Sequence, residues 1–367
     1  MLIDIIYYFF IVCASVQLLY ILVIATKIIF HSSKLSVNSL EPVSVIVCAR
    51  NEEANLHRLL PALTTQKYPD YEIIIVNDRS SDGTYDYLLT QEKLIPNLKL
   101  VNISTLPEKM DPKKFAITMG IKAATYENLL FTDADCVPMS NDWILHMQSK
   151  LKNNIEIVLG ISQYESKNSI LNLFIRYETL VTAISYISMA IAGMPYMGVG
   201  RNLAYKKSLF FKHKGFHSIM DVTGGDDDLF INQAAYGRNT EIVIDPSSHT
   251  LSIPKQTLAE WLAQKTRHIA VSRFYTFKNK LLTGTLITTQ IFTYISGLML
   301  CMTPYCDYAF ITLFFRIMLL NIVFAFIISK LRYNFKWYLV PFFDILYTLY
   351  MSIVGLRAMY VKEIKWK

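Results

Sequence analysis

Two acidic clusters in this 367-residue chain combine residue types and spacing that could do chemistry. In "NLLFTDADCVPMS", Asn128 to Ser140, an apolar run ends abruptly in two carboxylates one residue apart, Asp133 and Asp135. Asp is depleted in strands, and carboxylates this close raise each other's pKa unless something positive lies between them. A solvated turn after a strand would account for the pair, and so would a divalent cation. In "TGGDDDLF", Thr223 to Phe230, the run Asp226, Asp227 and Asp228 follows two glycines. Glycine lets backbone approach a ligand closely. One aspartate could cap a helix, but three in a row exceed what a cap needs.

The elements around these clusters alternate. "PVSVIVCARNEEANLHRLLPAL" gives a buried strand from Val43 to Val47, a turn at Asn51, and a helical stripe of Leu56, Leu59, Leu60 and Leu63. "YEIIIVNDRSSDGTYDYL" repeats the plan with a strand from Glu72 to Val76. "NLKLVNI" is a third strand, "DPKKFAITMGIKAAT" a helix with Asp111 as N-cap and Pro112 at its first position, and "ENLLFTDAD" a fourth strand. Such alternation predicts an α/β domain with a mostly parallel sheet. Ligands of such sheets bind beyond the carboxyl ends of the strands. Asn51, Asp78 and the Asp133/Asp135 pair all fall there. There is no GxGxxG after the first strand and no GxxxxGK[ST], so neither a dinucleotide fingerprint nor a P-loop is present.

The remainder is apolar. The chain is 53% hydrophobic and 18% charged. Ile5 to Thr26 and Leu281 to Cys306 carry no charge; Tyr308 to Ser329 and Trp337 to Leu356 carry one each, Arg316 and Asp344. About 20 apolar residues cross a bilayer as a helix. These stretches predict one transmembrane helix within residues 1–30 and two or three within 281–360, flanking a domain at 42–280. Lys27 and Lys34 place that domain on the cytoplasmic side by the positive-inside rule, as do Lys330, Arg332 and Lys336. Four full crossings would then put Arg357, Lys362, Lys365 and Lys367 outside; either the last segment is a re-entrant hairpin or the tail breaks the bias. Arg316 and Asp344 lie at matching depths if their helices run antiparallel, and are expected to pair.

Two more helices read as amphipathic. Around residues 255–272, Leu258, Trp261 and Leu262 make an apolar stripe suited to a membrane interface. In Leu171 to Ile191 the polar positions Arg176, Thr179, Thr182, Ser185 and Ser188 recur every three residues; an interface helix and a buried core helix both fit. Five cysteines without CxxC suit a reduced compartment. The net charge of +7 is partly juxtamembrane and suits anionic lipid, with no basic patch for nucleic acid. His213, His217 and His249 have no metal-ligand spacing and read as surface or loop histidines.

In order, "VSVIVCARNEEANL", "VNDRSSDGT", "DPKKFAITMGI", "FTDAD", "GVGRNLAYKKSLF", "GGDDDLF" and "EWLAQKTRH" resemble the motifs of membrane-bound glycosyltransferase family 2 enzymes with the GT-A fold, over roughly Pro42 to Ser272. The resemblance implies that Asp135 binds Mg²⁺ or Mn²⁺ and that Asp133 lies beside the metal or the donor sugar. An extended D-x-D would point both carboxylates at one spot. It implies that Asp78 contacts the base and ribose of a nucleotide, with Ala49, Arg50 and Glu52 completing that pocket. Most relatives carry a small residue where Arg79 stands. Of Lys113 and Lys114, one is expected to reach the nucleotide. The acidic run resembles the motif that supplies the catalytic base, here Asp226 or Asp227, with Asp228 ranked third. "QKTRH" resembles QxxRW, so Gln264 and Arg267 are expected at the diphosphate, with His268 in the usual place of tryptophan. "GVGRNLAY" resembles the segment that faces the acceptor, so Arg201 and Asn202 are expected to contact the acceptor or the diphosphate.

The expectation is an integral membrane enzyme, in the plasma or inner membrane if bacterial. It would be an inverting, metal-dependent glycosyltransferase moving a sugar from a nucleotide-sugar donor, a UDP-sugar above others, to a lipid or lipid-linked acceptor. A processive polysaccharide synthase and a catalytically silent nucleotide-sugar-binding scaffold are the alternatives.

Overall fold

Apolar strands covered on both faces set the frame. The structure is a computed structural model and describes residues 1–32, 35, 40–108 and 110–360. Lys34, Lys362, Lys365 and Lys367 lie outside the described residues. The chain divides into two compact units. The described parts of Ser32–Glu165 and Gly193–Lys255 form an α/β unit; those of Met1–His31, Ser166–Ala192 and Gln256–Lys362 form a helical one.

In the α/β unit, β1 (Val43–Ala49), β2 (Tyr71–Asp78), β3 (Leu98–Ile103) and β4 (Asn128–Phe131) are joined by helices Glu53–Thr64, Thr84–Leu94 and Pro112–Ala123. The short strands β5 (Cys136–Pro138), β6 (Ile157–Leu159), β7 (Ser162–Tyr164), β8 (Leu203–Lys206), β9 (Thr240–Ile242) and β10 (Thr250–Ser252) follow. The main sheet runs β3-β2-β1-β4-β8-β6-β9, and a small one runs β5-β10-β7. β1 pairs in parallel with β2 and β4, β2 with β3, and β6 with β9; β8 alone in this sheet is antiparallel to its neighbours β4 and β6. The core lies where Leu56, Leu59, Leu60 and Leu63 meet Val45, Val47, Ile73, Ile75 and Trp143. On the other face, helix Pro112–Ala123 comes so near the sheet that a Cβ on Gly120 would stand 2.7 Å from Ile46 Cγ2. Asp111 caps that helix, accepting from Lys114 N at 3.0 Å, with Pro112 at its start.

Among the described residues, the helical unit holds five helices long and apolar enough to cross a membrane: Leu2–Phe30, Ile170–Ile191, Phe277–Leu300, Cys306–Leu331 and Trp337–Ala358. The last is one uninterrupted α-helix over Val340–Tyr360, so the hairpin alternative does not hold. Arg316 and Asp344 do pair, Nη1 to Oδ2 at 2.6 Å, both almost fully buried. Tyr294 Oη donates to the same Oδ2 at 2.6 Å, and Gln290 Nε2 to Oδ1 at 3.1 Å.

The division at residues 42 and 280 differs from the one contacts make. Helix Ile170–Ile191 belongs to the helical unit and is largely buried, Arg176, Thr179 and Ser188 included. Its Tyr177 ring packs on Phe324, Phe335 and Phe343. Of the two readings of this helix, the buried one describes it. Helix Leu258–Val271 also belongs there, and its Trp261 stacks on Tyr350 with centroids 4.9 Å apart. That indole is covered by protein, whereas Leu258 of the same stripe is exposed. Lys265 Nζ lies 2.5 Å from Glu178 Oε2 and joins the two helices.

Candidate active site

The carboxyl ends of β1, β2 and β4 carry the acidic residues because the parallel pairing aligns those ends. β1 stops at Ala49, which is buried, and the chain turns through exposed Arg50 and Asn51, whose φ is +57°. Glu52 follows, its carboxyl pushed up first by burial and then by the charges of Asp135 and Asp133. β2 ends at buried Asp78, whose two oxygens accept a fork from Arg79: Nε to Oδ1 at 2.7 Å and Nη2 to Oδ2 at 3.1 Å.

The Asp133-Ala134-Asp135 segment is not extended. β4 ends at Phe131, and Cys136 N donates to Asp133 O at 3.0 Å, closing a tight turn. The strand alternation expected to align the two carboxylates is absent; the turn does that work instead. Carboxylate oxygens of Asp133 and Asp135 and the sulfur of Cys136 all fall within 4.8 Å of one another. Burial, then Asp133, pushes the Asp135 carboxyl up. The oxygen pair suits a hard divalent cation, which prefers carboxylates. The buried Cys136 thiol, pushed well up by burial and by the same two carboxylates, is a donor to Asp135 Oδ1 at 3.3 Å rather than a hard ligand. The donor set therefore fits Mg²⁺ or Mn²⁺ through Asp133 and Asp135.

Lys113 ties the two acidic clusters together. Its Nζ lies 3.2 Å from Asp133 Oδ1 and 3.1 Å from Asp226 Oδ2. Despite burial, Asp133, Asp226 and Asp227 hold this ammonium well above its ordinary range, so it stays charged. Lys114 turns the other way. Its buried Nζ donates to the carbonyls of Ile219, at 2.6 Å, and Val222. With two of its three donors on backbone carbonyls, Lys114 anchors the loop ahead of the acidic run and points away from Asp133 and Asp226.

Gly224 and Gly225 both have φ of +78°, a region that side chains rarely adopt. They turn the chain so that successive aspartates diverge. Asp227 is the N-cap of helix Asp228–Ala234, accepting from Asp228 N at 2.7 Å and from Gly200 N at 2.7 Å. Asp226 is buried against Lys113, and desolvation pushes its carboxyl up. The geometry separates the two candidates: Asp227 is committed to backbone, and Asp226 is the carboxylate facing the cluster.

Asn202 does not face an acceptor. It is fully buried, with Nδ2 donating to Ile161 O and Ser248 O, both at 2.8 Å, and Oδ1 accepting from Trp143 Nε1 at 3.0 Å. Arg201 remains at the site. Its guanidinium lies over the Tyr164 ring, 4.5 Å from the centroid, and its charge acts on Asp135. Thr132 Oγ1 and Thr250 Oγ1 hold its carbonyl at 3.1 and 3.0 Å. Lys255 also acts on Asp135 and Glu52 and was missed; a lone lysine after a three-residue strand gave no pattern to find it by. His249, expected as a surface or loop histidine, lies in the loop before β10 but is fully buried, with Nδ1 2.9 Å from Gln163 Nε2. Gln264 and Arg267, part-buried, and His268, exposed, lie on helix Leu258–Val271 of the helical unit.

Comparison with known proteins agrees with this geometry. Residues 44–210 match the model of Glycosyl transferase family 2. The chain is 27% identical over 231 residues to a poly-beta-1,6-N-acetyl-D-glucosamine synthase of Staphylococcus epidermidis, covering 62% of this chain and 53% of that one. It is 26% identical over 242 residues to the synthase of the same name from Staphylococcus aureus strain COL, covering 64% and 55%. The chain thus spans about half the length of these curated relatives. A solved mannosyltransferase of Pyrobaculum calidifontis, in complex with GDP-Man and Mn²⁺, superposes with a TM-score of 0.66 at 17% identity, over 99% of this chain and 100% of that one. That likeness is one of fold. The motifs, the matched residues and the shared architecture point the same way: residues 44–210 are similar to glycosyltransferase family 2, and the chain shares the GT-A fold of a solved mannosyltransferase.

Proposed function

We propose that the protein transfers a sugar from a UDP-sugar to a hydroxyl of a membrane-borne lipid acceptor, with inversion at the anomeric carbon. The observation that carries this is Lys113, whose ammonium lies within 3.2 Å of both Asp133 and Asp226. The carboxylate suited to a metal and the carboxylate suited to a base are one side chain apart. Asp133 and Asp135 would hold Mg²⁺ or Mn²⁺, which supplies positive charge against the diphosphate as it departs. Asp226 accepts the proton of the acceptor hydroxyl while that oxygen bonds to the anomeric carbon and the bond to the diphosphate breaks. Lys113 and Arg201 add fixed positive charge beside the leaving group. Asp227 orients the run by holding Gly200 N and its own helix start. Asp78 receives the base, with Ala49, Arg50 and Glu52 beside it. Gln264, Arg267 and His268 remain donor contacts on their sequence pattern alone. The α/β unit works on the cytoplasmic side, and the helical unit supplies the membrane anchor.

A second reading, a polysaccharide synthase, is favoured by the likeness to the Staphylococcus synthases. One assay weighs both: UDP release screened over UDP- and GDP-sugars, with membrane lipid extract as acceptor and product length resolved. A lipid carrying one added sugar supports the lipid reading, and a ladder of polymer supports the second. Asp226→Asn should lower kcat by about 10²–10⁴-fold with donor affinity kept. Chelation by EDTA should stop transfer, and Mg²⁺ or Mn²⁺ restore it. Parent-level transfer by Asp226→Asn would remove it as the base; absence of release with every donor would remove the transfer reading.

A further inference from the structure

Arg79 stands in a conformation that needs explaining. Its φ is +54°, a left-handed region in which a long side chain is strained. Such strain persists only where neighbours over-determine it, and it gathers at ligand sites. The neighbours are the turn after β1. Asn51, itself at φ +57°, accepts from Ser81 N on Oδ1 at 2.7 Å and donates from its own N to Ser80 Oγ at 3.0 Å. Glu52 N donates to Thr84 Oγ1 at 2.9 Å. The two strand-end turns are thereby locked to each other, and the lock folds the Arg79 guanidinium back onto Asp78.

The fork occupies one edge of that guanidinium, Nε and one hydrogen of Nη2. A guanidinium has five N–H donors, so three remain, two of them on its end edge. The Arg79 side chain is 26% exposed and that of Asp78 only 7%. The carboxylate is held in one orientation beside a cation that is partly exposed to solvent. Each carboxylate oxygen has a second lone pair left for another donor.

We infer that Asp78 and Arg79 together read the base of the sugar nucleotide, the carboxylate accepting from a ring N–H and the guanidinium donating to the ring carbonyl beside it. This rests on the nucleotide-sugar reading above and adds Arg79 as a specificity-determining residue. Uracil offers N3–H between two carbonyls, and guanine offers N1–H beside its C6 carbonyl. Cytosine N3 and adenine N1 carry a lone pair at neutral pH and would set acceptor against acceptor. A site built to bond an N–H discriminates strongly against a base lacking it, because its own polar groups are left unpaired. Without Arg79 the carboxylate loses both its fixed orientation and the test for the carbonyl.

The test is calorimetric titration of the full chain in detergent with Mn²⁺, using UDP, GDP, CDP and ADP as probes. Glycine accepts φ +54° without strain, so Arg79→Gly should fold, as its melting temperature will report. The parent should bind UDP or GDP at least about tenfold more tightly than CDP and ADP. Arg79→Gly should weaken the favoured diphosphate by about tenfold and leave CDP and ADP within about twofold. Asp78→Asn, whose amide can donate to N3 of cytosine, should raise CDP relative to UDP. A variant at Arg79 that keeps the parent's gap overturns the inference, as does a parent that binds all four alike. A parent that binds none overturns the nucleotide-sugar reading as well. A preference for GDP over UDP supports the inference and corrects the choice of UDP.

Discussion

Burial displaces the imidazole pKa of His249 from its ordinary 6.5 to about 4, against the opposing pull of the Ile244 backbone and Asp245. The unfolded chain takes up this proton as the pH falls through 6.5; the folded chain does so only near 4. Its contribution to stability is therefore whole above pH 6.5 and is lost progressively down to pH 4, by about 3 kcal/mol in all. Unfolding of the detergent-solubilised protein, followed between pH 7 and pH 5, should show about 2 kcal/mol of that loss in the parent and a flatter profile in His249→Gln. The same slope in both would refute the assignment. Nothing in "DPSSHTLS" announces burial, since His249 is flanked by turn-forming residues. Its environment comes from residues distant in the chain, Gln163 among them. The acidic run has the same limit. Three identical neighbours cannot be sorted by type, and the left-handed turns at Gly224 and Gly225 are what send Asp227 to the backbone and Asp226 to Lys113. Lys113 and Lys114 likewise part because adjacent helical positions point about 100° apart, one to the site and one to the Ile219 and Val222 carbonyls.

Among elements, the pairing of Arg316 with Asp344 followed from depth alone, because a charge in an apolar helix must find a partner. The structure adds its company: Tyr294, Gln290 and Gln17 bring helices Phe277–Leu300 and Leu2–Phe30 into the same network. Removing one partner from a buried pair costs about 3–5 kcal/mol. Arg316→Ala and Asp344→Ala should each lower the thermal stability of the purified protein, and the exchange of both charges should recover part of it. Exchange no better than either single change would mean that the surrounding hydrogen bonds, and not the pair, hold the helices. Strands β1 to β3 and the helix capped by Asp111 were legible because each is long enough to show a period and a boundary residue, and four-residue β4 because its apolar run stops at the Asp133/Asp135 pair. Strands β5 to β10, of three or four residues, carry no such mark, and they exist only by pairing across the chain.

For the whole molecule, the two units are interleaved in sequence. A fragment of residues 42–280, the domain that composition outlines, would take helices Ile170–Ile191 and Leu258–Val271 away from part of the helical unit that buries them. Tyr177 would lose Phe324, Phe335 and Phe343, and Trp261 would lose Tyr350. Exposed apolar faces of this kind drive association. That fragment, expressed without detergent, should aggregate; a soluble monomer with a cooperative melt would show that the two helices need no cover.

By itself the sequence determined the α/β class, the acidic strand ends, the apolar flanks and the family resemblance, because each is written in local periodicity or in motifs a few residues long. Only the tertiary structure decided which lysine meets Asp226, which aspartate caps a helix, why Asp133 and Asp135 converge from a turn, and that Trp261 faces protein. Those outcomes depend on which distant backbone satisfies a given polar group or covers a given ring, and contacts between distant residues leave no period in the chain.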